Sequence, residues 1–478
     1  MLFSSPIFLF LFLPAFIVLH FLIPRRWRNG LLLCISLMLY AWGEKSMVLI
    51  MLSSIVFNYI FGLILERYSF EQQEKRRVVL ILAVLFNVVL LCYFKYTTFL
   101  VNTVIFGELR IDPIHLPIGI SFFTFQALSY IIDVYRRDMP VQKNPVHLAL
   151  YISFFPELLA GPILRYRTMA GQIARRSSNL AGFAAGVRRF IVGLSKKVLI
   201  ANTLAGVADQ IFSLTPALLT PGLAWLGILC YTLQIYFDFS GYSDMAIGLG
   251  KMFGFEFMEN FNYPYISRSI KEFWRRWHIS LSTWFRDYLY IPLGGNRGTP
   301  FRTHFNLVLV FLLCGFWHGA NWTFVVWGLW HGCFLVWERT RFGNLLASLW
   351  APFRHAYTLI VVMIGWVLFR SPDLGHALEY LQAMAGFATG DGVKAFVAMY
   401  LSRDILIALG LGILFSAPVY AGTGNWIERV LMGSAKWVPR CLGQTVSLVH
   451  VVSLIGIFVL CAVKLASGTY NPFIYFRF

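Results

Sequence analysis

Long apolar runs separated by short basic or glycine- and proline-containing connections dominate this chain. Leu2 to Ile23 contains one histidine and no charge, enough residues to cross a hydrocarbon core of about 30 Å as a helix. Comparable runs cover residues 31–43, 47–65, 78–101, 115–132, 146–163, 190–204, 217–237, 303–336, 356–369, 404–420 and 445–466. Several are short or broken by Gly, Pro or polar residues. The pattern therefore predicts an all-α polytopic membrane protein with about eleven transmembrane helices plus re-entrant or interfacial ones. No linker or polar region of domain size interrupts the runs, so residues 1–478 read as a single integral membrane domain. The longest polar stretches, 164–189 and 421–442, read as short loops or interfacial helices. No inverted repeat is visible, which weighs against many secondary-transporter architectures.

Three polar islands break the apolar pattern: Ile118 to Gln126, extending to Asp133 and Tyr135; Gln234 to Asp244, followed by Asn260 to Pro264; and residues 268–331. Unsatisfied polar groups cost several kcal/mol in lipid. Clustering in three places predicts convergence on one internal cavity, with inter-helix hydrogen bonding as the plainer alternative.

Composition supports the membrane reading. The chain is 58% apolar and 13% charged, against about 25% charged in soluble domains. Its net charge of +18 is spread in pairs at the ends of apolar runs, such as Arg136-Arg137, Arg175-Arg176, Arg188-Arg189 and Lys196-Lys197. That distribution suits topology signals and contact with the bilayer's headgroups, and no continuous basic groove or motif for nucleic acid is present. The first run lacks a basic leader and a small-residue cleavage site, so it is expected to be retained. Arg25-Arg26-Trp27-Arg28 follows it directly, which by the positive-inside rule puts that end in the cytoplasm and turns the N-terminus outward. The seven cysteines lie mostly in apolar runs without CxxC spacing. They are expected to be buried packing residues, with neither a disulfide framework nor a metal site.

Two histidines concentrate the candidate chemistry. His278 lies in Lys271-Glu-Phe-Trp-Arg-Arg-Trp-His-Ile-Ser280, and His318 in Cys314-Gly-Phe-Trp-His-Gly-Ala-Asn-Trp322. Ionisable groups inside a bilayer-embedded bundle are costly and often functional, and histidine exchanges protons near neutral pH. Phe273, Trp277, Trp284 and Tyr288, with Arg268, Lys271, Arg275 and Arg276, predict a basic aromatic helix at the bilayer interface. It serves either as an anchor or as a mouth for a phosphorylated ligand, with Trp274, Arg275, Arg276 and Trp277 as binding candidates. His278 at its end is expected nearer the surface, and His318 deeper. The turn Pro292-Leu-Gly-Gly-Asn-Arg-Gly298 lacks the spacing of a nucleotide fingerprint. Gly315 and Gly319 beside His318 permit close approach of backbone or ligand. Asn321 is expected one helical turn later on the same face, able to orient the imidazole. A purely structural His318, bonded to a neighbouring carbonyl, stays open on the residues alone, and His331 reads as structural.

Taken together, Phe273-Trp-Arg-Arg-Trp-His-Ile-Ser-Leu-Ser282, Arg286-Asp-Tyr-Leu-Tyr-Ile-Pro-Leu-Gly-Gly-Asn-Arg297, Gly315-Phe-Trp-His-Gly319, Phe237-Asp-Phe-Ser-Gly-Tyr-Ser-Asp244 and the opening Phe3-Ser-Ser-Pro-Ile-Phe-Leu-Phe-Leu-Phe-Leu-Pro14 resemble the membrane-bound O-acyltransferase superfamily, and within it the bacterial alginate O-acetyltransferase membrane subunits. The resemblance runs to about residue 340. It implies a helical bundle around a central funnel or tunnel, a catalytic histidine at His318 and a supporting polar residue at His278. Trp317, Asp238, Ser240, Tyr242 and Asn321 join the candidates for substrate or donor contact. It further implies acetyl-CoA as a cytoplasmic co-substrate, no permanently bound cofactor, and a periplasmic esterase-like (SGNH-type) protein that passes acetyl to a polysaccharide. A neutral imidazole suits this chemistry as general base for an attacking hydroxyl, worth about 10²–10⁴-fold in rate. Two rivals remain at this point: a polysaccharide or lipid exporter that transfers no acyl group, and a haem or metal carrier using His278, His318 and His331.

Overall fold

The computed structural model describes residues 3–105, 111–159, 161–387, 396–419, 440–468 and 470–472. Every regular element among them is helical. The first half runs through α1 (Leu13–Leu22), α2 (Arg28–Glu44), α3 (Val48–Arg67), α4 (Gln73–Phe99), α5 (Ile120–Arg136), α6 (Pro145–Ser153), α7 (Phe155–Leu158), α8 (Tyr166–Ala174), α9 (Leu180–Ser195) and α10 (Asn202–Phe212). Then come α11 (Pro221–Met252), α12 (Ile270–Arg276), α13 (Ile279–Phe285), α14 (Pro300–His318), α15 (Trp322–Trp337), α16 (Arg341–Ser348), α17 (Ala351–Arg370), α18 (Leu374–Met384), α19 (Arg403–Phe415) and a C-terminal helix, Arg440–Ala466. The expected polar stretch at 421–442 falls almost wholly outside the described residues.

Seven helical segments among the described residues are long and apolar enough to cross a membrane, fewer than the eleven expected. Part of the difference is bending: Arg25–Arg67 is one such segment, but Lys45, at φ 52°, turns it into α2 and α3. The rest is shortness, since the runs at 2–23, 115–132, 146–163 and 404–420 form only the shorter helices Phe8–Leu22, α5, α6 with α7, and α19. The single run expected over 303–336 is two helices, α14 and α15, broken after His318.

α11 is the central post. Its most apolar window is 83% buried, against 22% for the segment containing α4. It meets α9 through small residues, Gly186 facing Gly248 and Gly193 facing Gly241. A Cβ at any of the four would stand 2.5–2.7 Å from the opposing glycine carbonyl, so only glycine lets these backbones touch.

The arginine-rich connections gather at one end of the bundle. Arg76, opening α4, donates to the carbonyls of Leu65 and Tyr68 at the end of α3 and of Val134 and Tyr135 at the end of α5, over 2.7–3.3 Å. Arg28, opening α2, reaches Ser178 at 3.2 Å. Four guanidinium hydrogen bonds to carbonyls thus close helix ends that would otherwise leave acceptors bare.

Two expectations about side-chain placement change. The aromatic residues at 273, 277, 284 and 288 are all buried, and the interfacial helix proposed for them is broken into α12 and α13. Their rings pack on other helices: Trp284 stacks on Phe125 of α5 at 3.7 Å, because apolar rings at a helix corner gain more contact inward than at a headgroup layer. Of the cysteines, Cys230, Cys314 and Cys461 are buried and Cys92 half-buried, but Cys34 and Cys333 are exposed on the apolar outer surface. In a bilayer, an apolar position need not point inward. The Cys441 side chain lies outside the described set.

Candidate active site

α14 begins at a Thr299 cap and ends abruptly at His318, because Gly319 takes extended backbone (φ −168°). This leaves the last carbonyls of a helix inside an apolar bundle, where no water can satisfy them. Two side chains of α4 do so. Lys95 Nζ donates to Trp317 O at 2.5 Å and His318 O at 3.1 Å, and Tyr96 Oη to Phe316 O at 2.6 Å. A cation at a helix C-terminus also meets the negative end of the peptide dipoles. Lys95 reaches Ser121 of α5 at 3.4 Å as well, so α4, α5 and α14 are tied at the residue that ends in the histidine. Gly315 and Gly319 are needed here, since a Cβ at either would collide with Phe324 on α15.

The His318 imidazole sits in a box of rings: Trp317 at 5.0 Å, Trp327 at 5.0 Å and Phe369 at 5.2 Å, all edge-to-face. Its Nδ1 is buried with no hydrogen-bond partner.

His278 occupies the corner between α12 and α13 with left-handed backbone, φ 43°. The preceding segment braces that corner: Asn260 O accepts from Ile279 N at 2.9 Å, and Arg276 O accepts from Asn262 N at 2.9 Å. Asn260 Oδ1 faces His278 Nδ1 at 3.2 Å and accepts from Ser280 Oγ at 2.9 Å. Nδ1 is therefore held, while Nε2 is buried and unpartnered. The Trp317 ring touches both imidazoles, His278 at 6.2 Å and His318 at 5.0 Å. Both imidazoles are buried, His278 at 0% exposed and His318 at 6%, so His278 is enclosed in the bundle because α12 is folded inward rather than laid along a surface.

The remaining candidates separate. Trp317 belongs to the box, and Trp274 joins it through Trp327 at 5.7 Å and His331 at 5.0 Å. Trp277 packs one layer away, against Phe261 and Trp366. Arg276 pairs with Glu272 at 2.9 Å, and Arg275 is exposed. Asn321 does not orient the imidazole. It is the N-cap of α15, accepting from Thr323 N at 3.1 Å and donating to Pro372 O at 2.7 Å, because the helix on which it was placed stops at His318. On α11, Asp238 forms an ion pair with Lys197 at 2.6 Å, and Tyr242 stacks on Phe3 at 4.7 Å. Ser240 is buried beside them. On α11 itself, Phe239 meets the His278 ring at 4.7 Å. The first island arrives through Phe122 and Phe125, at 5.6 and 5.4 Å from Trp317. The three islands thus converge on Trp317 and the histidines as packed rings.

The comparisons with known proteins fit this geometry. The model of the MBOAT, membrane-bound O-acyltransferase, family matches residues 37–370. The chain belongs to the membrane-bound O-acyltransferase family. The match covers every residue of the histidine box, from Lys95 to Phe369. The chain is 44% identical to the probable alginate O-acetylase AlgI of Azotobacter vinelandii over the whole of both chains. It is 38% identical to the peptidoglycan O-acetyltransferase of Helicobacter pylori over 81% of this chain and 80% of the relative. Identity to the teichoic acid D-alanyltransferase of Bacillus subtilis is 29%, over 54% of this chain and 70% of the relative. This protein is therefore a multi-pass membrane O-acyltransferase, and the family's acyl-transfer chemistry replaces the exporter and metal-carrier readings.

Lys95, Tyr96 and Asn260 escaped the sequence reading as site residues. Lys95 carried a signal: a lone cation amid the apolar run 78–101.

Proposed function

We propose that this protein takes acetyl from acetyl-CoA on the cytoplasmic side and delivers it through the membrane toward a periplasmic acceptor for polysaccharide O-acetylation, with His318 as general base. The observation that carries this reading is the His318 box. It holds an imidazole at an interrupted helix end, with an unpartnered ring nitrogen and a fixed backbone. In the step itself, the acceptor hydroxyl oxygen attacks the thioester carbonyl carbon while its proton passes to the His318 imidazole. The tetrahedral intermediate collapses, the C–S bond breaks, and the CoA sulfur leaves with that proton. His278, clamped through Nδ1 by Asn260, supports His318 across Trp317.

The orientation rests on the arginine-rich end of the bundle, which the positive-inside rule assigns to the cytoplasm of a bacterial inner membrane. α1 leads into that end, so the N-terminus lies on the periplasmic side. The full-length similarity to proteins named alginate O-acetylase favours alginate or a related exopolysaccharide as the eventual acceptor. A periplasmic SGNH-type esterase-like protein is the expected carrier, and no cofactor stays bound between turnovers.

The test uses proteoliposomes of the full chain with acetyl-labelled acetyl-CoA on the arginine-rich side. Free CoA thiol should appear in step with labelled acceptor on the opposite side. Label crossing without thiol release, or no thiol release with any hydroxyl acceptor, would end this reading.

A further inference from the structure

A second cluster lies on the arginine-rich end, away from the histidines. Asp287, in the helical turn Arg286–Tyr290 after α13, receives three guanidinium groups: Arg165 Nη1 at 2.5 Å, Arg167 Nη2 at 3.1 Å and Arg286 Nε at 2.6 Å. Arg136, closing α5, donates to the Asp287 carbonyl at 3.2 Å. Burial works against ionisation of Asp287, yet the Arg286 and Arg165 guanidiniums hold it below the ordinary carboxylate range. Asp133 lies nearby and accepts from Tyr288 Oη at 2.8 Å, with Asp138 close enough to act on it. Four arginines thus gather around three acids, leaving the cluster in cationic excess.

The excess has a direction. The Arg165 side chain is 8% exposed, and its Nε and Nη2 are buried without a hydrogen-bond partner. Those two N–H groups form the side-on fork of a guanidinium, the face that grips two oxygens of a phosphate at once. Its Nη1 is already committed to Asp287, which fixes the plane of the fork. Arg286, at 57% exposed, and Arg167, at 39%, open the cluster to solution. Leaving charged donors buried and unpaired is costly, and an anion would relieve it.

The cluster also connects to the histidine box. The Tyr288 ring, lying under the Arg136 and Arg165 guanidiniums, contacts Trp284 at 5.1 Å. Trp284 stacks on Phe125 at 3.7 Å, Phe125 meets Trp317 at 5.4 Å, and Trp317 meets His318 at 5.0 Å. An unbroken column of rings runs from the arginines to the candidate base.

We infer that Arg165, Arg167, Arg286 and Arg136 form a phosphate-binding site at the arginine-rich end of the protein. The phosphate comes either from a phosphorylated acyl donor laid along the ring column or from the headgroup of an anionic lipid. The donor source rests on the acetyl-CoA reading above; the lipid source does not.

The test measures binding, not turnover, with full-length protein in nanodiscs. Acetyl-CoA and acetyl-pantetheine, which lacks the phosphates, are titrated against wild type and against Arg167→Gln/Arg286→Gln, whose side chains are partly solvent-facing. Arg165→Lys keeps the charge and removes the fork. If the donor supplies the phosphate, both variants weaken acetyl-CoA by about tenfold or more and leave acetyl-pantetheine unchanged. If a lipid supplies it, acetyl-CoA binding does not respond, but co-purified phosphatidylglycerol, counted by native mass spectrometry, falls in both variants. If neither acetyl-CoA nor phosphatidylglycerol binding changes in correctly folded variants, the site does not exist. Failure of wild type to bind acetyl-CoA at all would sink the donor reading while leaving the lipid arm decisive for this site.

Discussion

Two buried polar clusters lie side by side in this bundle, and they are finished differently. On α11, each carboxylate is matched by cations: Asp238 with Lys197 at 2.6 Å, and Asp244 with Arg189 and Lys196, both at 2.7 Å. Around Trp317 the opposite holds. His318 Nδ1, His278 Nε2 and the indole N–H groups of Trp317 and Trp327 are buried without hydrogen-bond partners. Low dielectric makes both arrangements consequential. Paired charges lock helices together, whereas unpaired donors and acceptors remain available to a substrate. Both clusters look alike in the sequence, as polar letters in apolar runs; the pairing of their ionisable groups tells them apart, since neutral groups on α11 such as Ser240 Oγ and Gln234 Oε1 are also buried without a hydrogen-bond partner.

The strongest way to break this contrast is His318→Ala. Loss of a general base should lower acetyl transfer by about 10²-fold or more, with yield and melting temperature near wild type. Wild-type transfer rates in that variant would remove His318 from the chemistry. Next comes Lys197→Met, which removes the cation paired with the buried Asp238 carboxylate. Breaking a buried pair costs about 3–5 kcal/mol, so folded yield in detergent should drop sharply. The double variant Lys197→Met/Asp238→Leu should recover it; failure to recover would mean Asp238 serves more than its ion pair. Lys95→Met is expected to be intermediate. It uncovers the Trp317 and His318 carbonyls and should cost about 1.5–3 kcal/mol, with Lys95→Arg restoring much of the stability and rate in thermal-shift and transfer assays. The smallest effect belongs to Arg189→Gln. Asp244 keeps Lys196, so stability should fall by about 1 kcal/mol or less, and a larger loss would show the two cations to be interdependent.

Much of the architecture was legible because lipid rewards a simple pattern. Runs at 217–237 and 356–369 became α11 and α17, and the glycines beside His318 matched the helix contact they permit. The helix stop after His318 was not legible, since Ala320, Trp322 and the residues after them keep the run largely apolar and only the backbone turn at Gly319 reveals a cap. Helix rotation was equally hidden. Asp238 and Phe239 are adjacent in sequence, yet a step of roughly 100° sends one to Lys197 and the other to His278. Trp277 and Trp284 suggested an interface, because an aromatic beside basic residues fits either a headgroup layer or a protein interior. The partners of Lys95 and Arg165 come from helices far away in sequence, so no local pattern could expose them.

One feature bears on how residue 278 should be interrogated. A histidine there is both a side chain and a bend in the chain, since its backbone φ of 43° is a region where most residues with a Cβ sit uneasily. Alanine would delete the imidazole and disturb the bend together. Glycine deletes the ring while keeping the bend comfortable, and asparagine tolerates the bend while offering a different polar tip. Position 278 is thus a grammar of two words spoken at once, and the glycine–asparagine pair is what lets an experimenter hear them separately.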